Sequence, residues 1–313
     1  MAEYSDMPMD RPPEKDCKFD CFRAKYTTQY LEKYVDENTH AGQSLRDRIQ
    51  FEVTVQNAEK KGYKWILSCL SSNGSSIKIW TNKLMVANGE CSLPNMPRLP
   101  GQESFGGPVI HSESFAESDI LASKTVQHIT VLAAGKSAAD MVYNAVKAGK
   151  TVTWVIKKHG TGPGFFASID EKTPWKNPVE AAHTRVMSSL MPSALNPDNW
   201  WTWFLHSTRL GAGIVGRIFT AVDKRFRKLA NYRGRSSAKG FEKLEYDTDF
   251  FWQNGTGGAV HHEGFWSLVA ENVYVHRDDV KTLGSNTITL RDRTTFPCDA
   301  ILCGTGSPSL PCI

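Results

Sequence analysis

The chain has 313 residues, 40% of them hydrophobic and 22% charged, with a formal net charge of +4 from 37 basic and 33 acidic residues. That is enough material to bury a sizeable core, about two domains at roughly 150 residues each, and it excludes disorder as the main state. The basic excess is too small and scattered to make nucleic acid the main partner. No stretch approaches the roughly 18 uninterrupted apolar residues of a membrane span. The opening MAEYSDMPMDRPPEKD is too polar for a signal peptide, so a cytoplasmic protein without an integral membrane segment is expected. Seven widely spaced cysteines suit reduced thiols better than a disulfide framework, and Cys17 and Cys21 form a lone C-x3-C with no second pair for zinc.

Residues 1 to about 25 show no periodic apolar pattern and read as an irregular lead-in. From Tyr26 to Asn38 the apolar positions Tyr26, Tyr30, Leu31, Tyr34 and Val35 share one helical face, which predicts a surface helix. Ile49 to Val55, Trp65 to Leu70, Ile77 to Trp80 and Lys83 to Ala87 are short runs of β-formers parted by turn residues, which predicts a β-meander. The run from Ser92 to Gly107 is dense in Pro and Gly and reads as a linker and a candidate domain boundary. Behind it, Thr125 to Leu132 predicts a buried strand, Ser137 to Ala148 a helix stopped by Gly149, and Thr151 to Ile156 a second strand. Together these make a βαβ unit, the half-site of a dinucleotide fold. Thr173 to about Tyr246 turns helical and aromatic. Strands return at Val273 to His276, Thr287 to Leu290 and Ala300 to Cys303.

The strongest chemical signal is Ala133-Ala134-Gly135-Lys136-Ser137-Ala138, an A-x-G-x-x-A variant of the dinucleotide fingerprint between a strand and a helix. A turn with little side chain lets a pyrophosphate reach backbone N–H groups at the helix N-terminus, where the macrodipole favours negative charge. Gly135 supplies the close approach and Ala138 the close packing of helix on strand; Ala133 stands where the fingerprint wants glycine for the tight turn. An ordinary βα turn is the competing reading. Lys157 and Lys158 end the next strand, where a basic residue would take a 2′-phosphate and so favour NADPH; a solvated strand end is the bland alternative. A perfect G-x-G-x-x-G at Gly211-Ala212-Gly213-Ile214-Val215-Gly216 lacks a preceding strand and a following one, and is read as helix packing. The basic run from Arg217 to Arg235 reads as a solvated face, with an acidic-partner or membrane-surface role as the alternative. His261-His262-Glu263 has no further ligand at metal spacing.

Phe105-Gly106-Gly107-Pro108-Val109-Ile110-His111-Ser112-Glu113-Ser114-Phe115 fits the F-x-G-x-x-x-H-x-x-x-[YF] signature of flavin-containing and Baeyer–Villiger-type monooxygenases, and the chain resembles that family. Tyr4-Ser5-Asp6-Met7-Pro8-Met9 resembles its F-S-D-F-P-M segment, and Ala87-Asn88-Gly89 stands where the family has an A-T-G crossing between domains. Cys303-Gly304-Thr305-Gly306 resembles the second crossing, and Gly135 to Asp140 its NADPH-side G-K-S-x-x-D. The resemblance implies an α/β, Rossmann-type flavoprotein fold with two dinucleotide-binding domains: a partial FAD domain with meander and linker over 1–118, an inserted NADPH domain with a helical insertion over 119–306, and a return to the FAD domain over 307–313. It implies FAD and NADPH as cofactors and transfer of one oxygen atom from O2 to a small organic substrate, in the manner of secondary metabolism. Ala87, Asn88, Gly89, Thr305 and Gly306 would then contact cofactor at the crossings, and His111 would position the nicotinamide. Against the family's order, the sequence is expected to lack both ends of the flavin domain. An inactive remnant that still binds NADPH or a partner is the alternative.

Overall fold

The computed structural model describes residues 3–18, 21–87, 89, 93–160, 162–168, 178–182, 184–191, 199–235, 239–252, 258–260 and 262–307. The chain divides into two compact units, Met1–Gly89 and Glu90–Ile313.

In the first unit the expected helix forms as α1 (Ala24–Glu37). Its tyrosines fasten the N-terminal lead-in: the Tyr30 hydroxyl donates to Met7 O (2.7 Å) and accepts from Tyr4 N–H (2.7 Å), and the Tyr4 and Tyr34 rings lie 4.2 Å apart. A single turn, α2 (Leu45–Arg48), is closed by a Ser44–Asp47 capping box. The meander is β1 (Val53–Lys61), β2 (Lys64–Ser71) and β3 (Ser76–Thr81), antiparallel throughout. Two of the expected strand runs differ. Residues 49–52 are not strand, with a turn at 51–52 and Glu52 at φ +57°, and 83–87 is not a strand, because Thr81 Oγ1 accepts from Lys83 N–H and turns the chain away from the sheet.

The second unit holds a five-stranded, all-parallel sheet of β4 (Val109–His111), β5 (His128–Leu132), β6 (Thr151–Ile156), β9 (Val273–Arg277) and β13 (Ala300–Cys303), in the spatial order β9-β6-β5-β13-β4. Buried on both faces, β6 and β13 read as continuous apolar runs, the pattern a covered parallel sheet demands. Between β5 and β6 runs α3 (Lys136–Lys147), whose Ala138, Ala139, Met141, Val142 and Ala145 face the sheet. After β6 come β7 (Phe166–Ser168) and the helices α4 (Pro178–Ala182), α5 (Arg185–Leu190), α6 (Trp200–Ser207) and α7 (Arg209–Ala230). The chain returns through β8 (Gly258–Val260), which pairs parallel with β7, and α8 (Phe265–Asn272). A three-stranded antiparallel sheet, β10 (Val280–Leu283), β11 (Thr287–Leu290) and β12 (Thr295–Pro297), lies between β9 and β13 in sequence.

The two compact units divide at Gly89, just ahead of the Pro- and Gly-rich run at 92–107. The segment read as a linker is stitched into the second unit: Leu283 N–H donates to Pro100 O, Gly106 N–H to Ser285 O and Asn95 N–H to Gly306 O, and β4 then joins the parallel sheet. Residues 308–313 lie outside the described residues.

Candidate nucleotide-binding site

Counting from β5, the parallel strands read 3-2-1-4 as β9-β6-β5-β13, so the strand order reverses between β5 and β13. In open α/β sheets ligands bind beyond the carboxyl ends of the strands at such a switch point. The turn after β5 lies there. Ala133 takes φ +85°, the left-handed conformation that glycine adopts without cost, so the fingerprint's first glycine slot is kept in geometry although alanine fills it. Ala133 N–H donates to Val155 O (3.1 Å), and Ala133 O accepts from Trp154 Nε1 (2.5 Å), which fixes the turn from β6. Gly135 is the N-cap of α3 and brings no capping side chain. Its helix therefore opens toward the crevice with first-turn N–H groups that no side chain caps.

The other wall is the end of β13. A Cβ at Gly304 would stand 2.7 Å from the Ala138 Cβ and 2.8 Å from its backbone N, so the two residues let α3 descend onto the sheet. Gly304 N–H donates to Leu132 O (2.9 Å). The sequence points to Thr305 and Gly306 as site residues, and the structure adds Gly304. Thr305 Oγ1 donates to Asn95 O (2.5 Å), and Gly306, at φ +67°, accepts at its carbonyl from Asn95 N–H (2.9 Å).

His111 meets the same carbonyl. Its Nε2 lies 2.9 Å from Gly306 O, and Nδ1 accepts from Glu113 N–H (3.3 Å), which places the ring proton on Nε2. The ring is buried. Every fixed position of the 105–115 signature carries part of the packing. Phe105 lies in the small core with Leu283 and Ile288, and Gly107 passes so close to Asp299 O that a Cβ would sit 1.9 Å from it. His111 ties β4 to the end of β13, and Phe115 lies on the main core.

Within the second unit the structure thus gathers Gly135, Lys136, Ser137, Ala138, His111, Thr305 and Gly306 at one edge of the sheet. Lys157 and Lys158 follow β6 at that same edge, both exposed, since Val155 stands opposite Leu132 in the register. Ala87 and Gly89 are exposed residues of the first unit, and Asn88 lies outside the described residues.

Lys136 engages Asp140 one turn along α3 in a close ion pair, and His262 Nε2 lies 3.0 Å from the other carboxylate oxygen. Burial opposes ionisation of Asp140, but the hydrogen bonds from His262 and Lys136 outweigh it and hold the carboxyl below its ordinary value. His262 stacks on Tyr143 with ring centroids 4.0 Å apart. Asp140 and His262 are 122 positions apart, and no spacing rule could have paired them. His261 lies outside the described residues, among which no group of three His, Cys, Asp or Glu is placed to hold a metal.

The 211–216 glycines lie inside α7, with no strand before it, as the sequence context required. Five described cysteines, Cys17, Cys21, Cys69, Cys298 and Cys303, are free thiols. Burial raises the thiol of Cys303, at the end of β13, to about 12, so it stays protonated at neutral pH. No helix among the described residues is long and apolar enough to cross a membrane.

A family model described as pyridine nucleotide-disulphide oxidoreductase matches residues 8–168. Among curated relatives, the FAD-dependent monooxygenase rstn6 of Aspergillus nomiae is 26% identical, covering 98% of this chain and 54% of the relative. The FAD-dependent monooxygenase resA of Aspergillus sclerotiorum is 24% identical over 98% of this chain and 54% of its own length. Among solved structures, the polycyclic ketone monooxygenase of Thermothelomyces thermophila aligns with a TM-score of 0.59 at 16% identity, covering 91% of this chain and 50% of that one. A cyclohexanone monooxygenase variant of Rhodococcus sp. Phi1 bound to NADP+ aligns with a TM-score of 0.60 at 13% identity, over 92% and 57%. These structural likenesses establish the fold, a Rossmann-type α/β fold shared with part of those monooxygenases. The chain spans about half the length of the curated relatives it matches.

Proposed function

The chain belongs to the pyridine nucleotide-disulphide oxidoreductase family, and on that premise we propose that it forms the NADPH-binding part of an FAD- and NADPH-dependent monooxygenase acting on a small organic substrate in the cytoplasm. In this reading, residues 119–306 are the NADPH-binding domain. The observation that carries it is the turn from Ala133 to Ala138. Its left-handed first residue, a helix start without a capping side chain, and the close approach of Ala138 to Gly304 make a turn that suits a pyrophosphate. NADPH would supply a hydride. The backbone N–H groups of the first turn of α3 would hold its pyrophosphate, Ser137 would offer an exposed hydroxyl, and Lys157 and Lys158 would meet the 2′-phosphate. His111 would act by fixing the Gly306 carbonyl rather than by moving a proton, since both ring nitrogens are already engaged.

The described residues of the first unit contain no glycine turn opening a helix behind a strand: Arg23 stands before α1 without a side-chain cap, and Ser44 caps α2. They do not fit a second pyrophosphate, so these residues support no catalytic step through flavin. The relatives' printed description as FAD-dependent monooxygenases supports a flavin partner for the whole protein.

Titration calorimetry with the full chain tests the reading. Gly135→Asp would set a carboxylate against the phosphates and should weaken NADPH at least tenfold, on the order of 1.4 kcal/mol. Replacing Lys157 and Lys158 by Gln should bring NADPH down to the affinity of NADH. Unchanged NADPH affinity in the Gly135 variant would sink the assignment of the turn.

A further inference from the structure

Lys136 occupies a position that helix physics disfavours twice. A cation in the first turn opposes the positive end of the macrodipole, and Lys placed four residues before Asp is the poorer order for such a pair. Where a sequence breaks local rules without a structural return, the gain is sought in function. The surroundings show what restrains the ammonium. Asp140 is half-buried and shared, one oxygen taken by Lys136 and the other by His262. The imidazole is itself held in plane: it lies against Tyr143 at an interplanar angle of 8°, and the Tyr143 hydroxyl donates to Glu263 O (3.4 Å) in the loop that carries His262. Lys147 also lies over Tyr143, its Nζ 5.7 Å from the ring centroid.

We propose that Asp140, shared with His262, latches Lys136, the first residue of α3, so that its ammonium is neutralised until a nucleotide competes for it. Asp140 and His262 are positioning residues in this scheme. They touch no ligand and set how much of the Lys136 charge the turn offers. The latch rests on the nucleotide reading above, and it makes the affinity of the turn a compromise: the lysine attracts the diphosphate, while the aspartate competes for the lysine and repels the ligand. His262 moderates that competition by taking part of the carboxylate for itself. The two contacting residues should therefore act with opposite signs, which a purely structural role would not produce.

Calorimetric titration of the full chain with NADPH and with NADH reads this directly. Asp140→Asn keeps the shape, frees Lys136 and should tighten both nucleotides by about two- to fivefold, the scale of a partly exposed ion pair. His262→Ala leaves the carboxylate wholly to Lys136 and should weaken both by a similar factor. Lys136→Met introduced into the Asp140→Asn chain should erase the gain. Equal effects on NADPH and NADH are expected because the latch acts at the diphosphate they share, apart from the lysines after β6. Helicity by circular dichroism accompanies each variant, though a gain in affinity cannot come from misfolding. Unchanged or weaker binding by Asp140→Asn overturns the latch. If Gly135→Asp still abolishes binding in that case, the nucleotide reading stands and only the latch falls. If the parent chain binds neither nucleotide, both fall.

Discussion

Two stretches of this molecule carry the letters of a nucleotide site, and the better speller lacks the geometry for one. Gly211 to Gly216 matches G-x-G-x-x-G at every position, yet all six residues are interior to α7. There, Gly211 lets α7 pack against α6, since a Cβ would meet Phe204 O at 2.0 Å, while Gly213 and Gly216 face open space. The turn from Ala133 to Ala138 misses the first glycine but sits after a buried strand, at the switch point of a parallel sheet, and reproduces the required backbone. The same contrast holds for ion pairs at helical spacing. Asp223 and Arg227 on α7 stand in the favourable order, with the carboxylate buried and also accepting from the Tyr246 hydroxyl (2.9 Å) and Phe250 N–H (3.0 Å). Arg227 adds a bond to Glu245 and lies over the Tyr246 ring. That pair builds the helical region, whereas Lys136 and Asp140 at the start of α3 add little to its stability.

The sharpest way to break this comparison is steric. Gly304→Val should cost more than about 4 kcal/mol, because α3 would have to lift off the sheet to clear a side chain at 2.7 Å from Ala138. Chemical denaturation would show it as a collapse of the transition midpoint or as insoluble protein. A near-neutral result would mean that α3 does not depend on that contact. A comparable clash awaits Gly211→Val, so each region has one glycine that packing demands.

Next in size is Asp223→Asn. At neutral pH it should cost about 2 to 3 kcal/mol, since the Arg227 guanidinium loses its buried partner. The pH dependence carries a sign. Burial opposes ionisation of Asp223, but bonds from Arg227, Phe250 N–H and Tyr246 outweigh it and hold the carboxyl below the ordinary 3.8. The folded state thus binds fewer protons than the unfolded one near and below that value. The stabilisation is fully present above it and fades as the pH falls through the depressed folded value. Denaturation curves of parent and variant should converge below about pH 4. A gap that stays constant to pH 3 would assign the loss to packing rather than charge.

Strands at Thr287–Leu290 and Ala300–Cys303, and the whole β5–α3–β6 unit, were legible because their apolar runs have the period and length of their elements. Val109–His111 was hidden in a Pro- and Gly-rich stretch: three residues carry no period, and only pairing with β13 makes them a strand. Helix α8 at Phe265–Asn272 is apolar nearly all round, which erases the amphipathic signal. In the site, the turn and the terminal lysines could be read from local order. The bonds of Asp140 to His262 and of His111 to Gly306 span 122 and 195 residues, and no local pattern encodes them.

The smallest expected effects sharpen the comparison most, because the two regions hold mirror-image misfits. Ala133 is an alanine where the backbone wants glycine, at φ +85°, a conformation that costs an L-residue roughly 1 to 2 kcal/mol. Glycine there would remove that cost and add about 0.4 to 1 kcal/mol of unfolded-state entropy, leaving Ala133→Gly more stable by about 0.5 to 1 kcal/mol. Gly213 is a glycine where the backbone wants alanine, inside a 22-residue helix with nothing within 4 Å of a Cβ. Gly213→Ala should therefore also stabilise, by about 0.5 to 1 kcal/mol of helix propensity. Thermal melts would rise in both variants, but of the two only Ala133→Gly should change NADPH affinity, since that turn is the one proposed to hold the pyrophosphate. If Gly213→Ala alters nucleotide binding as well, the division between a turn that binds and a helix that merely packs is wrong.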